Sequence, residues 1–203
     1  MITLHPAIGR PLGSVLQAIA RMSETRANHR AGLFADALTS GVLLATGLWF
    51  SEVSVGASIA VMLSGLLAFT LIEYCFHRWL FHGTVPLFAP GHQKHHDNPH
   101  GYDSLPFFLP PVLVLMLWGL FCVALPVGVS LLLAGGIAAG YAAYGATHAL
   151  IHATRFRHPL ARRWAASHHV HHYHPDCNFG VTTPLWDFVL RTRHVRARTR
   201  PVR

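Results

Sequence analysis

The chain has 203 residues, 52% hydrophobic and only 12% charged, with 17 glycines, 13 prolines and a formal net charge of +8. A charged share about half that of ordinary soluble domains, with a mean hydropathy of +0.36, excludes a disordered chain, a collagen-like repeat and a simple coiled coil, and points to a membrane. Seventeen histidines, more than the 16 lysines and arginines together, are the second anomaly, because imidazole is a poor helix former and costly inside a bilayer.

Residues 1–32 carry Arg10, Arg21, Arg26 and Arg30 and read as a basic cytoplasmic segment that can lie as an amphipathic helix on the membrane surface. Four apolar segments follow. Residues 33–50 hold only Asp36, residues 57–76 only Glu73, and residues 107–125 and 127–151 hold no charge. Each has roughly the 20 residues that cross a hydrocarbon core of about 30 Å at 1.5 Å per residue. The first begins too late for a cleaved signal peptide. Turns at 51–56 and around 126–128 pair the spans as two hairpins.

In that arrangement all sixteen basic residues fall on one membrane side, from the N-terminal arginines through Arg78 and Lys94 to Arg155, Arg157, Arg162, Arg163 and the six arginines of residues 191–203. The positive-inside rule makes that side cytoplasmic. The charge therefore reads as topology and lipid-headgroup contact, and no aromatic interleaving suggests nucleic acid. Residues 193–203 form a basic tail behind a membrane-embedded domain of residues 33–192. Cys75, Cys122 and Cys177 are too far apart for CxxC pairs, so neither a disulfide framework nor a thiolate metal site is expected.

Ten imidazoles fall into four sets. His77 and His82 stand at the end of the second span, and His92, His95 and His96 just after it. His148 and His152 end the fourth span, and His168, His171 and His172 lie beyond it. All four sets are expected at one membrane face. Positions i, i+3 and i+4 share a helix face, so HxxHH is expected to present three imidazoles to one point. His77 and His82, five apart, fall on different faces of an α-helix. They converge only if the helix breaks or unwinds near Gly83, or else they serve different metals. Ten ligands exceed the four of a tetrahedral zinc and suit two metals of coordination number five or six. Imidazole suits Fe, Zn, Cu and Ni alike.

Glu73-Tyr74 followed by HRWLFH, then GHQKHHDNPHGYDSLPFFLPP, then HHVHHYHPDCNFGVTTPLWDFVLRT resemble the histidine boxes of the fatty acid hydroxylase superfamily of integral membrane di-iron enzymes. That superfamily also holds sterol desaturases and carotenoid hydroxylases. The resemblance runs from about residue 73 to 192, and its first two boxes are most similar to fatty acid 2-hydroxylases. It implies His77, His82, His92, His95, His96, His148, His152, His168, His171 and His172 as metal ligands, with no further catalytic residue. It also implies two Fe2+ ions, replaceable by zinc on overexpression, O2 as co-substrate and a lipid substrate. The 76 residues before His77 leave no fused cytochrome-b5-like domain, so a separate ferredoxin- or cytochrome-b5-like donor with its reductase is expected.

Glu73, one turn before His77, is a candidate to accept a ligand's ring N–H, its alternative being a pair with Arg78; His169 and Asp176 are candidates for similar support. Asp97, Asp103 and Asp187 either share that role or cap turns. His100 and His174 flank the boxes, while His5, His29, His158 and His194 need no function. Trp79, Trp164 and Trp186 are expected in the interfacial aromatic belt. An unactivated C–H bond offers no acid, leaving group or charge, so acid–base catalysis cannot break it and metal chemistry is required.

The expected protein is all-α: four transmembrane helices in two hairpins under a histidine-rich cytoplasmic cap holding a di-metal site. Its expected activity is hydroxylation of a fatty acyl chain near the carboxyl end. The alternative is a sterol or carotenoid desaturase or hydroxylase. A membrane metal transporter or sensor is the remote alternative, and it would place its ligands near the bilayer midplane. The expected location is a multi-pass protein of the bacterial inner membrane, with the endoplasmic reticulum second.

Overall fold

The computed structural model describes residues 14, 17–84, 88–102 and 104–195. His5, Asp103, the start of the expected surface helix and residues 196–203 of the basic tail lie outside the described residues; residues 17–23 of that expected helix are helical. Then follow α1 (Arg26–Trp49), α2 (Val55–Cys75) continued by a π-helical turn (Phe76–Phe81), α3 (Ala89–Asp97), α4 (Leu109–Phe121), α5 (Val127–Ala153), α6 (Pro159–Tyr173) and α7 (Leu185–Val189). No strand occurs among the described residues, so the expected all-α class holds.

Among the described residues three helical stretches are long and apolar enough to cross a membrane: Arg26–Trp49, Val55–Phe81 and Val127–Ala153. The expected third span is different. Its helix has only 13 residues, about 20 Å at 1.5 Å per residue. Prolines bracket it. Pro106 precedes it, Pro110 and Pro111 occupy its first turn, where lost N–H groups cost nothing, and Pro126 follows. Hydrogen-bonded turns carry the chain on to Leu125, whose amide donates to the Phe121 carbonyl at 2.9 Å.

The chain divides into two units, residues 1–69 with 97–142, and residues 70–96 with 143–203. In the first, Thr25 caps α1 by accepting from the Asn28 amide at 3.1 Å. Asn28 itself ties the start of α1 to the chain entering α4: its Nδ2 donates to the Leu105 carbonyl at 2.9 Å, and its Oδ1 accepts from the Phe107 amide at 3.0 Å. At the other end of α1, a Cβ on Gly128 would collide with the Phe50 carbonyl, so the start of α5 lies directly against the α1–α2 turn. Between these ends Leu43, Leu131, Ala134 and Ala138 form the core, with Val114, Trp118 and Phe121 packed on it. Gly65 and Gly136 let the backbones of α2 and α5 touch, since a Cβ on either would strike a carbonyl of the opposite helix. Large apolar side chains such as Phe34, Leu63 and Met116 point outward, which suits lipid as solvent.

The second unit has its own core of Ile151, Ala165 and Val181, flanked by Tyr144, Phe156 and Trp164. The Trp164 indole donates to the Val181 carbonyl at 2.7 Å and the Trp186 indole to Thr70 Oγ1 at 2.9 Å. Two of the three tryptophans expected at an interfacial belt thus serve as internal tethers; Trp79 is exposed.

Candidate metal centre

All ten candidate ligands lie in the second unit. The first surprise is local. Residues 76–81 form a π-helix, in which the His82 amide donates to the His77 carbonyl at 3.2 Å. The wider i→i+5 turn returns the fifth residue to the starting face. His77 and His82 therefore converge in one group through a local unwinding of the helix just before Gly83, one of the alternatives that their five-residue spacing left open.

The ring nitrogens gather into two groups of five, His77, His82, His92, His96 and His171, and His95, His148, His152, His168 and His172; within each, the nearest nitrogens all lie within 4.8 Å of one another. The groups abut: the rings of His96 and His172 stack across them at 4.4 Å. Neither HxxHH motif points at one place. In α3, His92 and His96 enter the first group while His95 enters the second; in α6, His168 and His172 enter the second while His171 enters the first. The reason is angular. At 100° per residue, i and i+4 differ by about 40°, whereas i+3 and i+4 diverge by about 100° and straddle the two groups.

The first group has the lone pairs a cation needs. Nδ1 of His77 and Nδ1 of His171 meet the carbonyls of Phe179 and Cys177 at 2.5 and 2.7 Å, so each must carry the proton there and leave Nε2 bare. Those two bare nitrogens are 3.1 Å from His92 Nε2 and 2.9 Å from His82 Nε2, and His82 and His92 are themselves 2.9 Å apart at Nε2. If His82 and His92 donate to the bare pair, their own contact sets N–H against N–H. The contacts cannot all be hydrogen bonds, and a cation at their centre satisfies them together. Five neutral imidazoles per group fit iron or zinc.

Two carboxylates sit behind this arrangement, and neither touches an imidazole. Glu73 accepts from the amides of Val181 and Thr182 at 2.6 and 3.0 Å and from the Thr182 hydroxyl, instead of from a ligand ring. Arg78 reaches the Tyr74 hydroxyl at 3.0 Å. Asp187 accepts from the amides of Phe179 and Gly180 at 2.8 and 2.7 Å. His169 is exposed and outside both groups, its ring 5.7 Å from that of His152. Asp176 is exposed as well and acts on His171 only through its charge. The carbonyls of Cys177 and Phe179 carry no sequence signal of their own. The nearest hint is the Asn-Phe-Gly turn, where Asn178 takes a left-handed backbone with φ 55°.

Burial, reinforced by repulsion among neighbouring rings, favours the neutral form of His82, His95, His171 and His172. It holds His82 at about 4, His95 and His171 at about 3 and His172 at about 2, against an ordinary 6.5. Between those values and 6.5 the unfolded chain binds more protons than the folded one, so stability rises with pH. In metal-stripped protein the contribution of these histidines to stability is therefore fully present above about pH 7 and is lost progressively as pH falls below 6.5. The mostly buried His95 and His171 each contribute a slope of about 1.4 kcal/mol per pH unit, or about 3–6 °C in a chain of this size, and the partly exposed His82 and His172 contribute less. Thermal unfolding of chelator-treated protein at pH 7.5 and pH 5.5 checks this, and an unchanged midpoint contradicts it.

Residues 62–192 match the family model described as fatty acid hydroxylase. The dihydroceramide fatty acyl 2-hydroxylase FAH2 of Arabidopsis thaliana is 30% identical over 157 residues, which cover 72% of this chain and 63% of the relative. The fatty acid 2-hydroxylase of Rattus norvegicus is 33% identical over 152 residues, 66% of this chain and 39% of the relative, so the chain spans less than two thirds of the length of either. A solved structure of full-length scs7p, in which only the hydroxylase domain is visible, superposes with a TM-score of 0.66 at 25% identity, covering 86% of this chain and 69% of that one. These named relatives are eukaryotic and lend no support to a bacterial inner membrane. With well over half of its residues inside the family model, the chain belongs to the fatty acid hydroxylase family.

Proposed function

We propose that the chain hydroxylates a fatty acyl chain at the carbon next to its carbonyl, using two metal ions, O2 and an external supply of two electrons. The observation that carries this reading is the pair of abutting five-imidazole groups inside a match to the fatty acid hydroxylase family. His77, His82, His92, His96 and His171 hold one metal, and His95, His148, His152, His168 and His172 the other. Iron is the active metal, with zinc able to replace it on overexpression. When bound and reduced, the two ions would supply the activation of O2 that inserting an oxygen atom into a C–H bond requires. One oxygen atom ends in the new hydroxyl and the other in water, consuming the two electrons and two protons.

The chain's own residues set where this happens. His77 and His82 end one membrane-length helical stretch and His148 and His152 end another, which argues for ligands at one bilayer face. The distribution of arginine argues that this face is cytoplasmic. We infer four crossings in two hairpins. Although α4 is short, the contacts of Asn28 with Leu105 and Phe107 at one end and the continuation to Leu125 at the other let residues 107–125 accompany α1. A lipid whose polar end stays at the interface then brings its first methylenes nearest the metals and leaves distal carbons in the bilayer.

Expression in a host without 2-hydroxylated lipids, followed by mass spectrometry of saponified acyl chains, tests the proposal. The expected result is new 2-hydroxy acids that vanish with His95→Ala. Unmodified acyl chains beside an altered sterol or carotenoid would overturn it.

A further inference from the structure

Behind the first histidine group runs a loop, residues 177–182, that contributes no imidazole. Its Cys177 and Phe179 carbonyls receive the ring protons of His171 and His77. The loop is gripped in turn by two carboxylates. Asp187 is 1% exposed: Oδ1 accepts from the Phe179 amide at 2.8 Å and the Thr192 hydroxyl at 2.7 Å, and Oδ2 from the Gly180 amide at 2.7 Å. Glu73 is 6% exposed and takes the next two amides, of Val181 and Thr182. A Cβ on Gly180 would strike the Thr183 carbonyl and stand 2.9 Å from Asp187 Oδ2, so only glycine admits so close a grip. Four consecutive amides, Phe179 to Thr182, thus end on buried carboxylate oxygens.

The second group is supported differently. Nδ1 of His168 and Nδ1 of His172 are buried and have no hydrogen-bond partner among the described residues. Nothing at those atoms selects a tautomer. A metal-binding imidazole whose other N–H is fixed by an acceptor binds more tightly, and loss of such support typically costs 10–100-fold in affinity.

We propose that Glu73 and Asp187 are positioning residues for one metal site only: by holding residues 177–182 they lock Nε2 of His77 and His171 toward it, and so make the His77 group the tighter of two unequal sites. This rests on reading both groups as metal sites. The test strips the full chain in detergent with a chelator and titrates it with Co2+, following visible absorption and circular dichroism. Wild type should fill in two phases, the first tighter. Asp187→Asn sets an amide N–H2 against a backbone N–H, because each oxygen of Asp187 takes one, whereas Glu73→Gln can keep its oxygen on both amides and turn its N–H2 to the Thr182 hydroxyl. Asp187→Asn should weaken the first phase about 10–100-fold and Glu73→Gln roughly severalfold, each changing its absorption spectrum and leaving the second phase and the helical signal intact. If Asp187→Asn fails to fold, Thr182→Val decides, since it removes only the hydroxyl on Glu73 and should weaken the first phase by roughly severalfold. Equal weakening of both phases, no weakening, or equal affinities in wild type would overturn the proposal. A wild-type chain that binds no Co2+ would instead remove the metal reading beneath it.

Discussion

Replacing His171 by alanine is expected to take the purified protein from about two bound metal ions per chain to about one, and to reduce hydroxylation more than roughly a hundredfold. His152→Ala should do the same from the other group. The two substitutions fall in different sets of five nitrogens, so the double variant should hold almost no metal. His158→Ala is the internal control. It lies six positions beyond His152, exposed at the start of α6, where its side chain makes no capping bond. Its metal content and activity should match wild type. Metal analysis of the folded, detergent-purified variants decides the matter. If His158→Ala proved as damaging as His152→Ala, or if His171→Ala kept both ions, the division into two groups would be wrong.

The all-α class was legible because long uncharged runs in a chain with 12% charged residues leave few alternatives to membrane helices. The shortened α4 was less so. Its apolar run has the length of a span, but the helix fills only 13 residues between Pro106 and Pro126, and hydropathy does not weigh backbone donors. The ten histidines could be picked out because their order and spacing repeat a family's pattern. Their partition could not, because it turns on the angle between i+3 and i+4, and a motif read as one face hides it. Glu73 shows a third limit. One turn before His77 it looks placed for that ring, yet its partners are the amides of Val181 and Thr182, 108 and 109 residues away in sequence. Supports built from backbone carbonyls, such as those of Cys177 and Phe179, leave almost no trace in residue identity.

The π-helical turn is the unwinding that the five-residue spacing of His77 and His82 left open, and it yields a test of register. A single-turn π-helix amounts to one extra residue accommodated within an α-helix. Deleting Leu80 should let residues 76–81 relax to α-helix, placing the two histidines at i and i+4 on one face and preserving the first group. Inserting one alanine between Trp79 and Leu80 should instead swing His82 away from His77 by about 100°. Because His82 Nε2 lies 2.9 Å from both His92 and His171, that rotation removes it from the centre of its group. The insertion should therefore cost about one metal ion per chain and roughly a hundredfold or more of activity, with the ion at the His95 group retained. The deletion should keep both ions and most of the activity. Equal damage from the two would mean that the length of the segment matters and its helical pitch does not. An insertion that kept both ions would show that the His77–His82 register is not set by the turn between them.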